Sequence, residues 1–343
     1  MTKEGKMKRR QFIQKSGLLA VGSITLTSFK FESHPIRIFP KKLKKGDVIA
    51  LTAPAGAIFN SSKILKIKAK LNGLGFKVVL GETLYKQEGF LAGNDEFRTN
   101  ELEQFFSDKS IKAIIAMRGG WGCARILDRL DYDLIKRNPK VLMGYSDITS
   151  LLVSIQEKTG LITYHGPVGY SSWKEFSTLN VFKTVMNGRP QVLKNPSTYL
   201  TDLETISKGK ARGQLIGGNL TVMTSMLGTK HEPSWQGKIL FLEETGEEPY
   251  RVDRMLWQLK QADVFNQING LVIGAFTKCT PDVPSESFSL AEVFSQHFGN
   301  VNFPVFKGAV IGHIIPKFTL PIGVFVEINS ELFTIETLED SVS

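Results

Sequence analysis

Cysteine is nearly absent: two residues in 343, Cys123 and Cys279. That leaves no disulfide framework and no paired thiolates for a structural metal, and each reads as a small buried residue rather than a reactive thiol. No long apolar run occurs near the N-terminus, where the weakly apolar stretch Gly17–Phe29 is thirteen residues, short of the roughly 20 that span a bilayer as a helix. The glycine-rich "RGGWG" matches neither G-x-x-x-x-G-K-[ST] nor G-x-G-x-x-G, so it is not a phosphate loop. There is no internal repeat, no low-complexity segment, no zinc-finger spacing, no RNP-like aromatic set and no Lys/Arg stripe. Histidine is scarce, at five residues. What remains is a globular composition, 42% hydrophobic and 22% charged, with length for two domains.

The formal charge of +10 is concentrated at the start, where residues 1–30 hold seven Lys/Arg against one Glu. The rest is an ordinary surface balance, and no nucleic-acid partner is expected. "MKRRQFIQKSGLLAVGSITLTSF" has the basic-then-apolar layout of an export signal, and Arg9-Arg10 with Phe12-Ile13 and Lys15 fits a twin-arginine pattern. Residues 1–35 are therefore read as export signal and linker, and the chain as exported, into a periplasm. An amphipathic N-terminal helix on a cytoplasmic protein is the alternative. No clean small-x-small cleavage site follows, so membrane contact is expected only through the signal, if it stays uncleaved.

Beyond the leader, strand and helix alternate. "DVIALTAPAG", "FKVVLG", "IKAIIAMRGGWG" and "KVLMGYSD" read as strands. Ser61–Leu74, "NDEFRTNELEQFFSD" and "CARILDRLDYDLIKRNP" read as helices. This predicts a parallel sheet of Rossmann or flavodoxin-like type over residues 36–175. Residues 176–210 are polar and read as a connector. Residues 211–343 read as a β-rich domain, with helices at "NLTVMTSMLG", "RVDRMLWQLKQAD" and "SLAEVFSQHFG". Ligands of such sheets bind beyond the carboxyl ends of the strands, and "TAPAG", "RGGWG" and "GYSD" all fall there.

Ser146, in "GYSD" ahead of an apolar helix, fits an N-cap or a nucleophile at a sharp strand-to-helix turn. A nucleophilic serine needs a base and an orienting group. By position the bases are His165, after a strand in "TYHGPVG", and His313, after a strand Ala309–Ile311 in "AVIGH". His34, His231 and His297 lie in linker, turn and helix. Glu243 ends the strand Ile239–Leu242, where it needs a partner, either the base or an ion pair with Arg251 or Arg254.

Seven ordered blocks, "APAG", "IIAMRGGWGCARILDRLDYDLI", "LMGYSDITSLL", "GGNLTVMTSMLGT", "ILFLEETGEEPYRVDRMLWQL", "GLVIGAF" and "GAVIGH", resemble the LD-carboxypeptidases, the serine peptidase family of muramoyltetrapeptide carboxypeptidase, across about residues 44 to 335. The resemblance implies Ser146 as nucleophile, Glu243 as carboxylate and His313 as base. It also implies a murein stem tetrapeptide as substrate, losing its terminal D-alanine, a homodimer, and no metal or cofactor. The run Leu242-Glu243-Glu244 departs from the family's L-E-D and leaves two glutamates competing for the histidine. The backbone N–H of Asp147, with one from Gly119 or Gly120, is the expected oxyanion hole. A free substrate carboxylate calls for a cation, and Arg118 is the candidate. A resistance hydrolase of the microcin C type is the alternative within the family, with Trp121 or Trp173 as the aromatic for its nucleotide. A murein-binding protein without turnover is the alternative outside it.

Overall fold

The apolar run Val48–Thr52 forms β1, with its last four residues buried, as a strand covered on both faces requires. The structure is a computed structural model and describes residues 36–343; the leader reading of residues 1–35 lies outside the described residues. β1 pairs in parallel with β2 (Lys77–Leu80) and β3 (Ile111–Ala116). β3 pairs with β4 (Val141–Gly144), and β4 with β5 (Thr163–His165), also in parallel. The spatial order β2-β1-β3-β4-β5 is the flavodoxin-like winding, whose direction reverses between β1 and β3. The turns after β1, β3 and β4 therefore share one edge, as the sequence predicts.

The second sheet has eight strands. Its middle is parallel: β8 (Lys210–Asn219), β9 (Ile239–Thr245), β10 (Gly270–Thr277) and β11 (Val305–Lys307). Antiparallel strands flank it: β6 (Val192–Leu193), β7 (Glu204–Ser207), β13 (Phe325–Asn329) and β14 (Thr334–Thr337). Helices Leu220–Ser225, Pro249–Gln261 and Leu290–Phe298 fall where the sequence places them. The last is closed by a capping box between Ser289 and Glu292.

The two halves share a core. One apolar cluster contains Ile114 and Leu142 of the first sheet together with Leu215, Phe241 and Val272 of the second. Residues 36–343 fall in a single compact unit. The chain also recrosses: β12 (Leu320–Ile322), from the expected β-rich half, pairs antiparallel with β5 on the edge of the first sheet. The expected connector 176–210 carries the helix Glu175–Phe182, with Val181 and Val185 buried behind it, and supplies β6 and β7. Its polar composition hides these short apolar contacts. "CARILDRLDYDLIKRNP" is two helices, Cys123–Ile126 and Tyr132–Arg137, because Asp131 caps the second by accepting from Leu134 N at 2.8 Å. Ala309–Ile311 is not a strand; Gly308 and Gly312, both at φ +91, bend the segment out of the sheet.

Candidate active site

Ser146 has φ +66. A non-glycine residue in the left-handed region costs about 1–2 kcal/mol, and such strain collects at functional sites. The strain comes from a β4 strand that turns within one residue into the helical segment Ser146–Ile148 and then the helix Thr149–Thr159. The cap alternative fails: Ile148 precedes that helix with no side-chain cap, and among the described residues Ser146 Oγ makes no hydrogen bond. The turn after β3 lies against the serine. A Cβ on Gly119 would be 2.8 Å from Ser146 Cβ and 3.1 Å from Asp147 N, so only glycine permits this approach.

Glu243 and His313 are brought together. Glu243 Oε2 accepts from His313 Nδ1 at 2.6 Å, and Glu243 is wholly buried. The His313 ring meets Tyr145, the residue before Ser146, edge-to-face at 4.8 Å between centroids. The choice between the two glutamates follows from strand alternation. Glu243 faces the histidine. Glu244 faces the other way and accepts from Asn219 Nδ2, Thr221 N, Thr221 Oγ1 and Thr245 N, each at 2.8 Å. The ion-pair alternative for Glu243 also falls, since Arg251 pairs with Glu247 and Arg254 lies over the Tyr250 ring.

His165 is a core residue. Burial, with the charges of Lys317 and His313 adding, pushes its pKa down to about 3, and its ring packs edge-to-face on Phe241. It stays neutral and is no competitor as base. Both cysteines are buried, as expected.

Two of the three turns, those after β1 and β3, are tied together by a residue the sequence reading missed. Arg98 is fully buried and donates to Pro54 O at 2.6 Å, Gly122 O at 2.9 Å and Gly93 O at 3.2 Å, while pairing with Asp95. Asp147 adds a further tie by accepting from Cys123 N at 2.9 Å; burial holds its carboxyl above the ordinary range. Gly119 and Gly120, outside any helix or strand, donate their N–H groups to no acceptor among the described residues. Arg118 is half-buried and donates to Ala57 O at 3.1 Å. Trp121 is 67% exposed, whereas Trp173 is buried and donates to Val168 O, so only the former is open to a ligand.

Lys317 was also missed. It is buried, four residues after His313, with Nζ 3.8 Å from the Tyr145 ring centroid and no hydrogen bond from the ammonium among the described residues. Burial lowers its pKa to about 8 against the pull of Glu243. The sequence signal was available: a lysine on the same loop as the histidine, in "GHIIPKF". Among the described residues no group of His, Cys, Asp and Glu is arranged to hold a metal.

A strained serine, a histidine and a buried carboxylate on an α/β scaffold define a class of hydrolases able to run acyl transfer. Family comparison places the chain among the carboxypeptidases. The LD-carboxypeptidase N-terminal domain matches residues 49–166 and the C-terminal domain residues 212–328. A probable murein peptide carboxypeptidase of Bacillus subtilis is 37% identical over 295 residues, 85% of this chain and 91% of that protein. Among solved structures, MccF in complex with glutamyl sulfamoyl guanosine superposes with a TM-score of 0.82 at 25% identity, covering 89% of this chain and 99% of that one. Muramoyltetrapeptide carboxypeptidase from Oxalobacter formigenes gives 0.75 at 26%, covering 86% and 100%. The chain belongs to the LD-carboxypeptidase family, and so to the peptidases.

Proposed function

We propose that the chain is a serine LD-carboxypeptidase that removes the terminal D-alanine from murein stem tetrapeptides. The observation that carries this reading is the His313–Glu243 bond of 2.6 Å, with the His313 ring against Tyr145, the residue before a serine held at φ +66. In this mechanism His313 Nε2 takes the Ser146 proton as Oγ attacks the carbonyl, then returns it to the leaving D-alanine amine. Glu243 holds the ring and stabilises the imidazolium. The N–H groups of Asp147 and of Gly119 or Gly120 receive the oxyanion. Arg118 and Lys317 are the two cations available for the substrate's free carboxylate.

The test uses a tetrapeptide ending in D-Ala and its L-Ala epimer. The epimer exchanges the methyl and carboxylate, removing the carboxylate from its cation, so kcat/KM should fall at least about 100-fold, roughly 2.7 kcal/mol. Equal rates would remove the murein reading.

A second reading, hydrolysis of an aminoacyl-nucleotide amide, is favoured by the exposed Trp121 in the glycine turn and by the similarity to MccF. Cleavage of such an amide, weakened by Trp121→Ala, would put it ahead. The intact set of Ser146, His313 and Glu243 argues against a binding protein without turnover. We also propose that the chain is exported on its twin-arginine leader; Arg9→Lys with Arg10→Lys should leave it in the cytoplasmic fraction.

A further inference from the structure

Six lysines that are scattered in the sequence line one groove of about 600 Å³: Lys41, Lys42, Lys44, Lys109, Lys112 and Lys140. Among its described lining residues the only acidic side chain is Asp47, which accepts from Lys44 N at 2.8 Å. Lys140 forms the floor. It is buried and donates to the carbonyls of Asp108 and Ile111, and burial lowers its pKa to about 8. Lys41, Lys42, Lys44, Lys109 and Lys112 are exposed.

Sheet polarity explains the clustering. The lysines immediately precede β1 (Val48), enter β3 (Ile111) or precede β4 (Val141). Parallel strands put all three starts on one edge, opposite the carboxyl-end edge that carries Ser146. Nothing in the catalytic reading uses this end of the sheet, and keeping like charges together has a cost that a permanent counter-anion would remove.

We propose that this groove is a docking surface for an anionic phospholipid membrane. Charge complementarity supplies the attraction, since clusters of four to eight basic residues bind acidic lipid surfaces. The choice of a lipid surface over another polyanion rests on the export reading. Lys41 follows Phe29, the end of the apolar run, by twelve residues, which reach at most about 40 Å extended. With the amino edge at the bilayer, the edge carrying Ser146 faces away from it, toward substrate in the wall.

The experiment is sedimentation of the full chain with phosphatidylcholine vesicles, with and without phosphatidylglycerol, at low and high salt. Wild type should bind the acidic vesicles, and salt should weaken binding. The fourfold variant Lys41→Gln, Lys42→Gln, Lys109→Gln, Lys112→Gln should bind at least about 100-fold more weakly, at roughly fivefold per lysine. A charge-matched variant, Lys66→Gln, Lys194→Gln, Lys208→Gln, Lys278→Gln, should keep wild-type binding. Soluble hydrolysis, measured on each variant, should be unchanged, which separates failure of this proposal from failure of the catalytic one. The vesicle assay also needs no export, so a cytoplasmic location would count against the leader reading separately. Equal binding by the two variants, equal binding to neutral vesicles, or loss in the groove variant of binding to a soluble polyanion but not to vesicles would each overturn the proposal.

Discussion

A single methyl group on Gly312 should disable the enzyme while leaving it folded. Gly312 lies at φ +91, and a Cβ there would sit 2.2 Å from Glu243 Oε2 and 2.6 Å from Glu243 Cβ and Cδ. Glu243 is completely buried and has no room to retreat. Two costs are therefore superimposed. The left-handed backbone alone costs a non-glycine residue about 1–2 kcal/mol. The clash displaces the carboxylate that orients His313, and losing that function in a triad lowers kcat by about 10⁴, near 5.5 kcal/mol of transition-state stabilisation. Gly46 separates the two costs. It has the same φ of +91, and a methyl group there would meet nothing within 4 Å, so Gly46→Ala carries the backbone cost without the clash. Urea midpoints and kcat/KM on the D-Ala tetrapeptide are the measurements. Gly46→Ala should lose about 1–2 kcal/mol of stability and Gly312→Ala more than that, and only Gly312→Ala should lose activity, by at least about 10³. Near wild-type turnover in Gly312→Ala, or an equal activity loss in Gly46→Ala, would refute the reasoning.

Ser146→Gly should abolish turnover yet leave stability unchanged or raised by up to about 1 kcal/mol, because relief of left-handed strain is partly offset by unfolded-chain entropy; a marked loss of stability would mean that the serine is not strained. Glu243→Gln should lower kcat by several orders of magnitude, whereas Glu244→Gln should act mainly on stability by weakening the cluster on Asn219 and Thr221; kinetics and melting of the pair decide it, and the reverse pattern would transfer the triad function to Glu244. Lys317 has a folded pKa of about 8 against an ordinary value of 10.5, so the unfolded chain binds more protons between those values and stability should rise with pH across that window. Lys317→Met should flatten that rise, as read from urea unfolding at a series of pH values; an unchanged pH dependence would show that the ammonium is not buried at a cost.

The strand run from β1 to β5 was legible because parallel strands covered on both faces read as continuous apolar segments, and each ends in glycine or proline. Ser146 and Glu243 were legible as polar residues at strand ends, whereas the strand expected before His313 is a bend, and only the family blocks singled that histidine out. The register at Glu243-Glu244 was not legible, since both follow the same apolar strand and only three-dimensional contacts show that Glu244 is already satisfied by four donors. Arg98 was invisible for a similar reason. It lies in a helix whose sequence reads as an ordinary acidic surface element, and its value comes from the carbonyls of Pro54 and Gly122 on two distant turns. The six-lysine groove leaves no stripe in the chain because three strand starts assemble it. The shared core was missed because the change from alternation to short β-runs suggests a boundary, while the second sheet also has a parallel middle.

The shared core also sets the geometry of catalysis. Ser146 lies in the turn after β4 of the first sheet, Glu243 in β9 of the second, and His313 in a loop beyond β11. Their registration runs through a short chain of contacts. Thr149, at the start of the helix after Ser146, accepts from Asn219 N at 3.1 Å through Oγ1. Asn219, at the end of β8, donates its side-chain amide to Glu244, the neighbour of Glu243. A path of hydrogen bonds thus joins the segment after Ser146 to the neighbour of Glu243 without passing through the histidine. Loosening it at Thr149 would leave each half folded and would shift Ser146 relative to His313, where a displacement on the order of 1 Å is enough to cost about 100-fold in rate. On the proposed mechanism the second sheet is therefore part of the catalytic apparatus, because it would set the distance across which one proton must move.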